Sequence, residues 1–293
     1  MDGILNIDKP QGQTSFSIVV MVRQLSGEKR VGHAGTLDPL ATGVLPICLG
    51  QGTRVVEFLH DMNKVYQAEI ELGVVTETYD ASGRIIQKKD PSGISRSRLE
   101  SILPFFCGEI RQVPPIYSAV KYQGRPLYEL ARAGVTVEPR SRLVKIYKLE
   151  LLDFSPPVVT VEVVCGKGTY IRSLAHDLGQ TLGCGANLKG LIRLRYGLFD
   201  RRDAISVAQL EDAFRYGYWR NLVYSIDSAL PHWTAMVLSD EAEQCVRNGR
   251  PLVLKVPSVE NRCRAYSNDG YFLGVLCFDA DKGQWRPEKV FWS

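Results

Sequence analysis

Gly32-His33-Ala34-Gly35-Thr36-Leu37-Asp38-Pro39-Leu40-Ala41-Thr42-Gly43-Val44-Leu45-Pro46 is the stretch on which the reading of this chain turns. Three glycines, two prolines and two threonines make it a poor helix and a poor strand. Leu37, Leu40, Val44 and Leu45 make it too apolar for a solvated linker. The pattern predicts a loop packed against a core. Asp38 stands in its middle, Pro39 fixes the chain just after it, and His33 lies five residues upstream. Glycines let such a backbone turn tightly and approach a ligand, while the apolar flanks hold one shape, which is how a chain presents a single acid rigidly. An aspartate in a glycine-rich turn also has a bland use, closing the turn through its own side chain.

Working outward, the 293 residues are 45% hydrophobic and 23% charged, ordinary for a globular protein with a sizeable core. The first ten residues show no basic segment followed by an apolar run. No stretch approaches the ~18 uninterrupted apolar residues of a membrane span, so a cytoplasmic protein without membrane contact is expected. Seven scattered cysteines without a C-x-x-C pair, and only four histidines, read as free thiols and imply no metal.

The net charge of +4 is unevenly spread. Residues 111–148 carry eight Lys and Arg against Glu129 and Glu138, and residues 189–202 carry five against Asp200. The first segment interleaves Tyr117, Tyr122 and Tyr128 with Lys121, Arg125 and Arg132. Cations for phosphates and flat rings for unstacked bases suit an RNA-binding face better than a merely solvated one.

Hydrophobic spacing places the other elements. Residues 3–8 read as a strand, and Thr14 or Ser15 caps a helix through Phe16, Val19, Val20 and Val22 that stops at Gly27. Residues 65–72 alternate, with Tyr66, Ala68, Ile70 and Leu72 on one face, so Tyr66 points inward. Asp80 is a rival carboxylate. Leu99, Ile102, Leu103 and Phe106 give a helix over 95–106 ended at Gly108, and a short helix is expected over 126–133. Residues 158–165 form a strand, followed by a glycine turn and an amphipathic helix with Ile171, Leu174 and Leu178 inward. Tyr170 and Arg172 fall in its first turn, where the helix dipole favours an anion. A guanidinium there grips either a phosphate or a carboxylate. Beyond residue 231 come short pieces separated by Gly and Asn-Asp, with a helix over 240–247: a small β module. From Thr234 on, it carries eight basic and eight acidic residues, which argues against strong phosphate binding.

The Asp38 loop resembles, almost residue for residue, the signature loop of the TruB-type tRNA pseudouridine synthases. Four other segments are similar to that family in the same order: Lys9, Pro10, Gly12, Thr14 and Ser15; Lys64 with Tyr66; Gly168 to Arg172; and residues 188–199 with Leu191. The last departs from the family at Ile192, where an arginine is common. The resemblance implies an α+β chain. Its pseudouridine synthase fold would have a mixed, largely antiparallel sheet flanked by helices in residues 1–231, with an RNA-gripping thumb inserted at about 95–142. A PUA-like barrel would follow in 232–293. It implies cofactor-free isomerisation of uridine 55 in the TΨC loop of tRNA, by a stand-alone monomer that flips the base out.

By that resemblance Asp38 is the catalytic residue, kept ionised and aimed by Arg172. Tyr66 lies against the base and assists deprotonation at C5. Tyr170 and Leu191 line the pocket, His33 braces the vacated space, and Lys9, Lys121 and Arg132 contact substrate. Two other readings remain: a non-catalytic tRNA-binding or RNA-folding protein of the same fold, and a hydrolase using Asp38 with Asp80, for which the sequence shows no clear second acid or metal cluster.

Overall fold

The computed structural model describes residues 1–135, 137–254 and 261–291. Strand β1 (Gly3–Lys9) leads into α1 (Ser15–Ser26). The Thr14 hydroxyl accepts from Ser17 N–H at 3.0 Å to cap the helix, and Gly27 ends it in the left-handed conformation. Then follow β2 (Val31–His33), β3 (Thr42–Leu49), α2 (Val56–His60), β4 (Lys64–Leu72), β5 (Val74–Thr76), β6 (Ile85–Lys88), α3 (Arg96–Ile102) and β7 (Gly108–Gln112). A protruding segment holds β8 (Lys121–Tyr122), β9 (Arg125–Pro126) and α4 (Leu127–Arg132). The chain returns through β10 (Arg142–Ser155), β11 (Val158–Cys165), α5 (Ile171–Leu182), β12 (Ala186–Tyr196), β13 (Phe199–Asp200), β14 (Ile205–Ser206) and α6 (Val207–Arg215). The C-terminal module consists of β15 (Thr234–Val237), α7 (Asp240–Arg247), β16 (Arg262–Tyr266), β17 (Phe272–Asp279) and β18 (Gln284–Val290).

One sheet organises the body, in the order β14-β1-β3-β12-β4-β11-β10-β7, with β2 on β3 and β13 on β12. Only β1–β14 and β3–β12 run parallel, so the sheet is mixed and largely antiparallel. The alternation in β4 is realised: Tyr66, Ala68, Ile70 and Leu72 are buried and Glu69 is exposed. Helix α5 lays Ile171, Leu174 and Leu178 on the sheet. Burying each such side chain fully is worth about 1.5–3 kcal/mol. At Gly179 a Cβ would stand 2.1 Å from the Ala186 nitrogen, so only glycine lets α5 lie this close to the start of β12.

Two expectations change. The stretch 32–46 is not loop throughout, because β2 ends at His33 and β3 begins at Thr42, leaving 34–41 as the loop proper. Long-range pairing overrides the poor local propensity of Gly43 and Pro46: both pair with β1, and Gly43 also with β12. The helix over 95–106 is α3 followed by a 3-10 turn, Leu103–Phe106, with Pro104 in its first turn. Leu99, Ile102 and Leu103 belong to the principal core. Within the span expected as the thumb, a separate small core is formed by Leu127, Leu130 and Val137 with Val120.

The C-terminal strands pair in the open order β15-β16-β17-β18, with a core around Trp285, Leu273 and Val246. This module leans on the body. Val275 and Phe291 share a cluster with Val44, Phe58, Tyr196 and Phe199.

Candidate active site

The loop carrying Asp38 is fixed from three sides. From α1, the Ser15 hydroxyl accepts from Leu37 N–H at 2.8 Å and donates to the Leu37 carbonyl at 3.2 Å. From the turn after β1, Gly12 N–H donates to the Pro39 carbonyl at 2.8 Å. From β12, the buried Arg193 donates through Nε to the Val44 carbonyl at 2.6 Å and through Nη2 to the Gly35 carbonyl at 3.0 Å. That guanidinium spans both ends of the loop. A Cβ on Gly43 would sit 2.3 Å from the Arg193 carbonyl, so this strand contact requires glycine.

Asp38 looks into a cavity of about 590 Å³ whose walls include Leu37, Lys64, Tyr66, Tyr170, Leu191 and Tyr196. Arg172, at the second position of α5, closes one side. Its Nη2 donates to Asp38 Oδ1 at 3.1 Å, and its Nε lies 2.9 Å from Oδ2. The same guanidinium reaches the Tyr117 carbonyl at 3.0 Å, the Thr78 carbonyl at 3.4 Å and Asp80 Oδ2 at 3.5 Å. Asp80 is itself held by the hydroxyls of Thr78 and Ser82. The two rival carboxylates therefore differ in reach. Asp38 leaves 36% of its side chain open to the cavity, Asp80 only 6%. Asp38 is the one a substrate can meet, and Asp80 anchors Arg172 from behind.

Electrostatics correct one expectation. Protein walls surround the cavity, and that burial holds the Asp38 carboxyl above the usual carboxylate range. Arg172 opposes the shift without cancelling it, Asp80 adds to it, and Lys9 opposes it more weakly. Arg172 thus aims Asp38 and favours its charged form, while burial sets the net direction. Burial also raises the Tyr66 hydroxyl, against the donating guanidinium of Arg193. Arg193 stands directly across from Tyr66 in the β4–β12 register.

The remaining expected residues separate into groups. Tyr170 and Leu191 line the cavity with Asp38, Tyr66 and Arg172. His33, at the end of β2, is outside the lining, and burial lowers its imidazole pKa; its Nδ1 is enclosed without a partner. Lys9 is fully buried beneath the loop. Its ammonium donates to the Pro10 and Gln13 carbonyls at 2.8 and 2.7 Å, and burial pushes it down to about 8. It braces the turn that meets Pro39. Lys121 is exposed in β8, and Arg132 lies over the Tyr128 ring at 5.7 Å in α4, both in the protruding segment.

The sequence named Lys64 only as the companion of Tyr66 in a family motif, with no role of its own, and did not single out Arg193. Lys64 is buried, donates to the His60 carbonyl at 2.7 Å and lies 4.7 Å from the centre of the Tyr196 ring; burial pushes it down to about 8. Both are cations in apolar strand contexts, a signal for partnered burial. Among the described residues no cluster of three or more His, Cys, Asp or Glu could hold a metal ion, and no helix is long and apolar enough to cross a membrane.

A glycine-pinned aspartate gripped by an arginine, beside an inward tyrosine on a mixed sheet, matches a recognised class. Residues 23–171 fit the model of the TruB family pseudouridylate synthase N-terminal domain, and residues 172–231 fit that of the tRNA pseudouridylate synthase B C-terminal domain. The chain belongs to the TruB family of pseudouridylate synthases and is an isomerase. Similar proteins include the tRNA pseudouridine synthase B of Dehalococcoides mccartyi, 45% identical over 291 residues, covering 99% of this chain and 97% of that one. That of Stutzerimonas stutzeri is 42% identical over 296 residues, covering 100% and 96%. Among solved structures, the Cbf5-Nop10-Gar1 complex contains a chain 27% identical with a TM-score of 0.77, covering 99% of this chain and 85% of that one.

Proposed function

We propose that the protein converts uridine 55 in the TΨC loop of tRNA to pseudouridine, as a stand-alone cytoplasmic monomer. The observation that carries the reading is the Asp38–Arg172 pair facing a cavity walled by Tyr66, Tyr170 and Leu191. The tRNA pseudouridine synthase names of full-length relatives support the substrate class.

The reaction breaks the N1–C1′ glycosidic bond, turns the uracil, joins C5 to C1′ and releases the C5 proton. It needs an anion at the sugar or base, a flat enclosed site for the free uracil, a proton acceptor near C5, and exclusion of water. Asp38 supplies the anion, adding covalently or stabilising charge at C1′. Arg172 fixes its two oxygens in one plane. Tyr66 lies against the base, its hydroxyl directed by Arg193 and available at C5. Leu191 forms an apolar wall. A uridine in a folded loop reaches this cavity only when flipped out, and His33, at the end of β2, braces the space it leaves. The protruding segment, with Lys121 and Arg132 beside Tyr122 and Tyr128, grips the stem-loop without a protein partner.

The test uses a T-arm stem-loop with tritium at C5 of its uridines. Tritium release by the wild type, lost in Asp38→Asn while RNA still binds, is the expected result. The same RNA with cytidine in place of uridine 55 and its other uridines still labelled should release no tritium. Tight binding without release would leave a non-catalytic RNA-binding protein of this fold.

A further inference from the structure

Two polar atoms in the cavity lining are buried without a hydrogen-bond partner: Nη2 of Arg142 and Oγ of Ser118. They reach the cavity from different elements. Arg142 opens β10, and its guanidinium carbon lies 5.1 Å from the centre of the Tyr170 ring, at the N-terminal end of α5. A Cβ on Gly168 would lie 3.9 Å from Nη1, so the guanidinium runs along the glycine turn before α5. Ser118 belongs to the protruding segment and is 4% exposed. Its neighbour Tyr117 spends its carbonyl on Arg172. Every other strong charge around the cavity is engaged: Arg172 with Asp38, Lys64 with the His60 carbonyl, Arg193 with two loop carbonyls, and Lys167 with Asp61 at 2.7 Å.

Native proteins pair buried donors, and an enclosed guanidinium nitrogen without an acceptor marks a place prepared for one. A guanidinium is the donor best shaped for phosphate, and here it stands where the α5 dipole also favours an anion. A uridine flipped into the cavity brings its own acceptors: a phosphate on each side of its ribose. We propose that Arg142 binds one of the two phosphates flanking the flipped uridine, with Ser118 donating to the same nucleotide from the opposite segment. The inference rests on the reading that this cavity takes a uridine of RNA. It assigns Arg142 to substrate binding and leaves the isomerisation to Asp38.

The test pairs enzyme variants with altered substrates. Two stem-loops each carry one uncharged methylphosphonate, 5′ or 3′ of the target uridine, and wild type is compared with Arg142→Ala and Arg142→Lys by tritium release. Arg142→Ala should lower kcat/KM on the natural RNA roughly ten- to hundredfold, chiefly through KM. Arg142→Lys should recover part of that loss, since it keeps the charge but not the fork. On one of the two methylphosphonate RNAs the wild type should lose a similar factor, and Arg142→Ala should lose nothing further. Independent, multiplying losses on both RNAs would overturn the proposal, as would a loss confined to kcat. The wild-type rate on unmodified RNA separates the two inferences: no release there defeats the proposed function, whereas release with independent losses defeats only the Arg142 assignment.

Discussion

The Asp38 loop and the protruding segment 113–141 both face the cavity but are built on opposite principles. The loop is pinned by Ser15, Gly12 and Arg193 through five hydrogen bonds to its backbone and its ends. It rests on the principal core through Leu37 and Ala41. Among its described residues the segment has a core of its own of four apolar residues, two two-residue strands and one short helix. Lys121, Tyr122, Arg125 and Tyr128 stand exposed along it. A site for bond-making needs geometry set before substrate arrives, whereas a surface gripping RNA needs charge and rings that can adjust. The two meet at one guanidinium, where Arg172 joins Asp38 to the Tyr117 carbonyl.

The sharpest way to break this contrast is to cut that junction. Arg172→Met leaves Asp38 unaimed and Asp80 buried without its cation. Isomerisation should fall at least about a hundredfold, the scale for losing one preorganised electrostatic group. RNA affinity should change little, because the segment's exposed cations are untouched. A matched loss of affinity, measured by filter binding beside tritium release, would show that aiming and gripping are one function.

The reverse profile is expected from Lys121→Ala with Arg132→Ala. Losing exposed phosphate contacts should weaken RNA binding several-fold and lower the slope of log K against log salt by about one unit per contact. The rate at saturating RNA should hold. A fall in that rate would mean that the segment also sets the chemistry.

A smaller effect sharpens the loop side. The folded Asp38 carboxyl titrates above its ordinary value of 3.8. The native state therefore binds this proton more tightly than the unfolded chain, and the stability from that preference is fully present below 3.8. It is lost as pH rises through the folded value. At pH 7, well above the unfolded value, this preference counts against the native state, so Asp38→Asn should be no less stable than the parent in urea. Any advantage of the variant should vanish toward pH 3. A parent clearly more stable at pH 7 would mean that Arg172 outweighs burial.

The sequence carried the site in unequal measure. Local rules placed Asp38, Tyr66 and Arg172 in the chain, and the family resemblance gave them their roles. A glycine-rich turn with apolar flanks announced the first, strict alternation the second, and a helix start after a strand the third. The strand identity of 42–49 was hidden because Gly43 and Pro46 are poor strand residues, and only pairing with β1 and β12 makes them strand. Arg193 was equally opaque. Its acceptors at Val44 and Gly35 lie about 150 residues away in sequence, a distance across which no periodicity speaks. The sign of the Asp38 shift needed the cavity walls themselves.

The smallest effect is expected where a third region meets this pair. The C-terminal module balances eight bases with eight acids, yet it places Val275 and Phe291 in the cluster with Val44 and Tyr196. Arg54 donates to the Val290 carbonyl, and Glu57 pairs with Lys289, across the same seam. Val44 accepts from Arg193, and Tyr196 lies beneath it, so the module backs the rigid loop, and it is expected to add no second gripping surface. Lys282 and Arg286, both exposed on it, should then be replaceable by alanine together with less than about a twofold change in RNA affinity and no change in salt slope. A slope lowered by a full unit would place phosphate on this face. The contrast would then lie between one rigid region and two gripping ones.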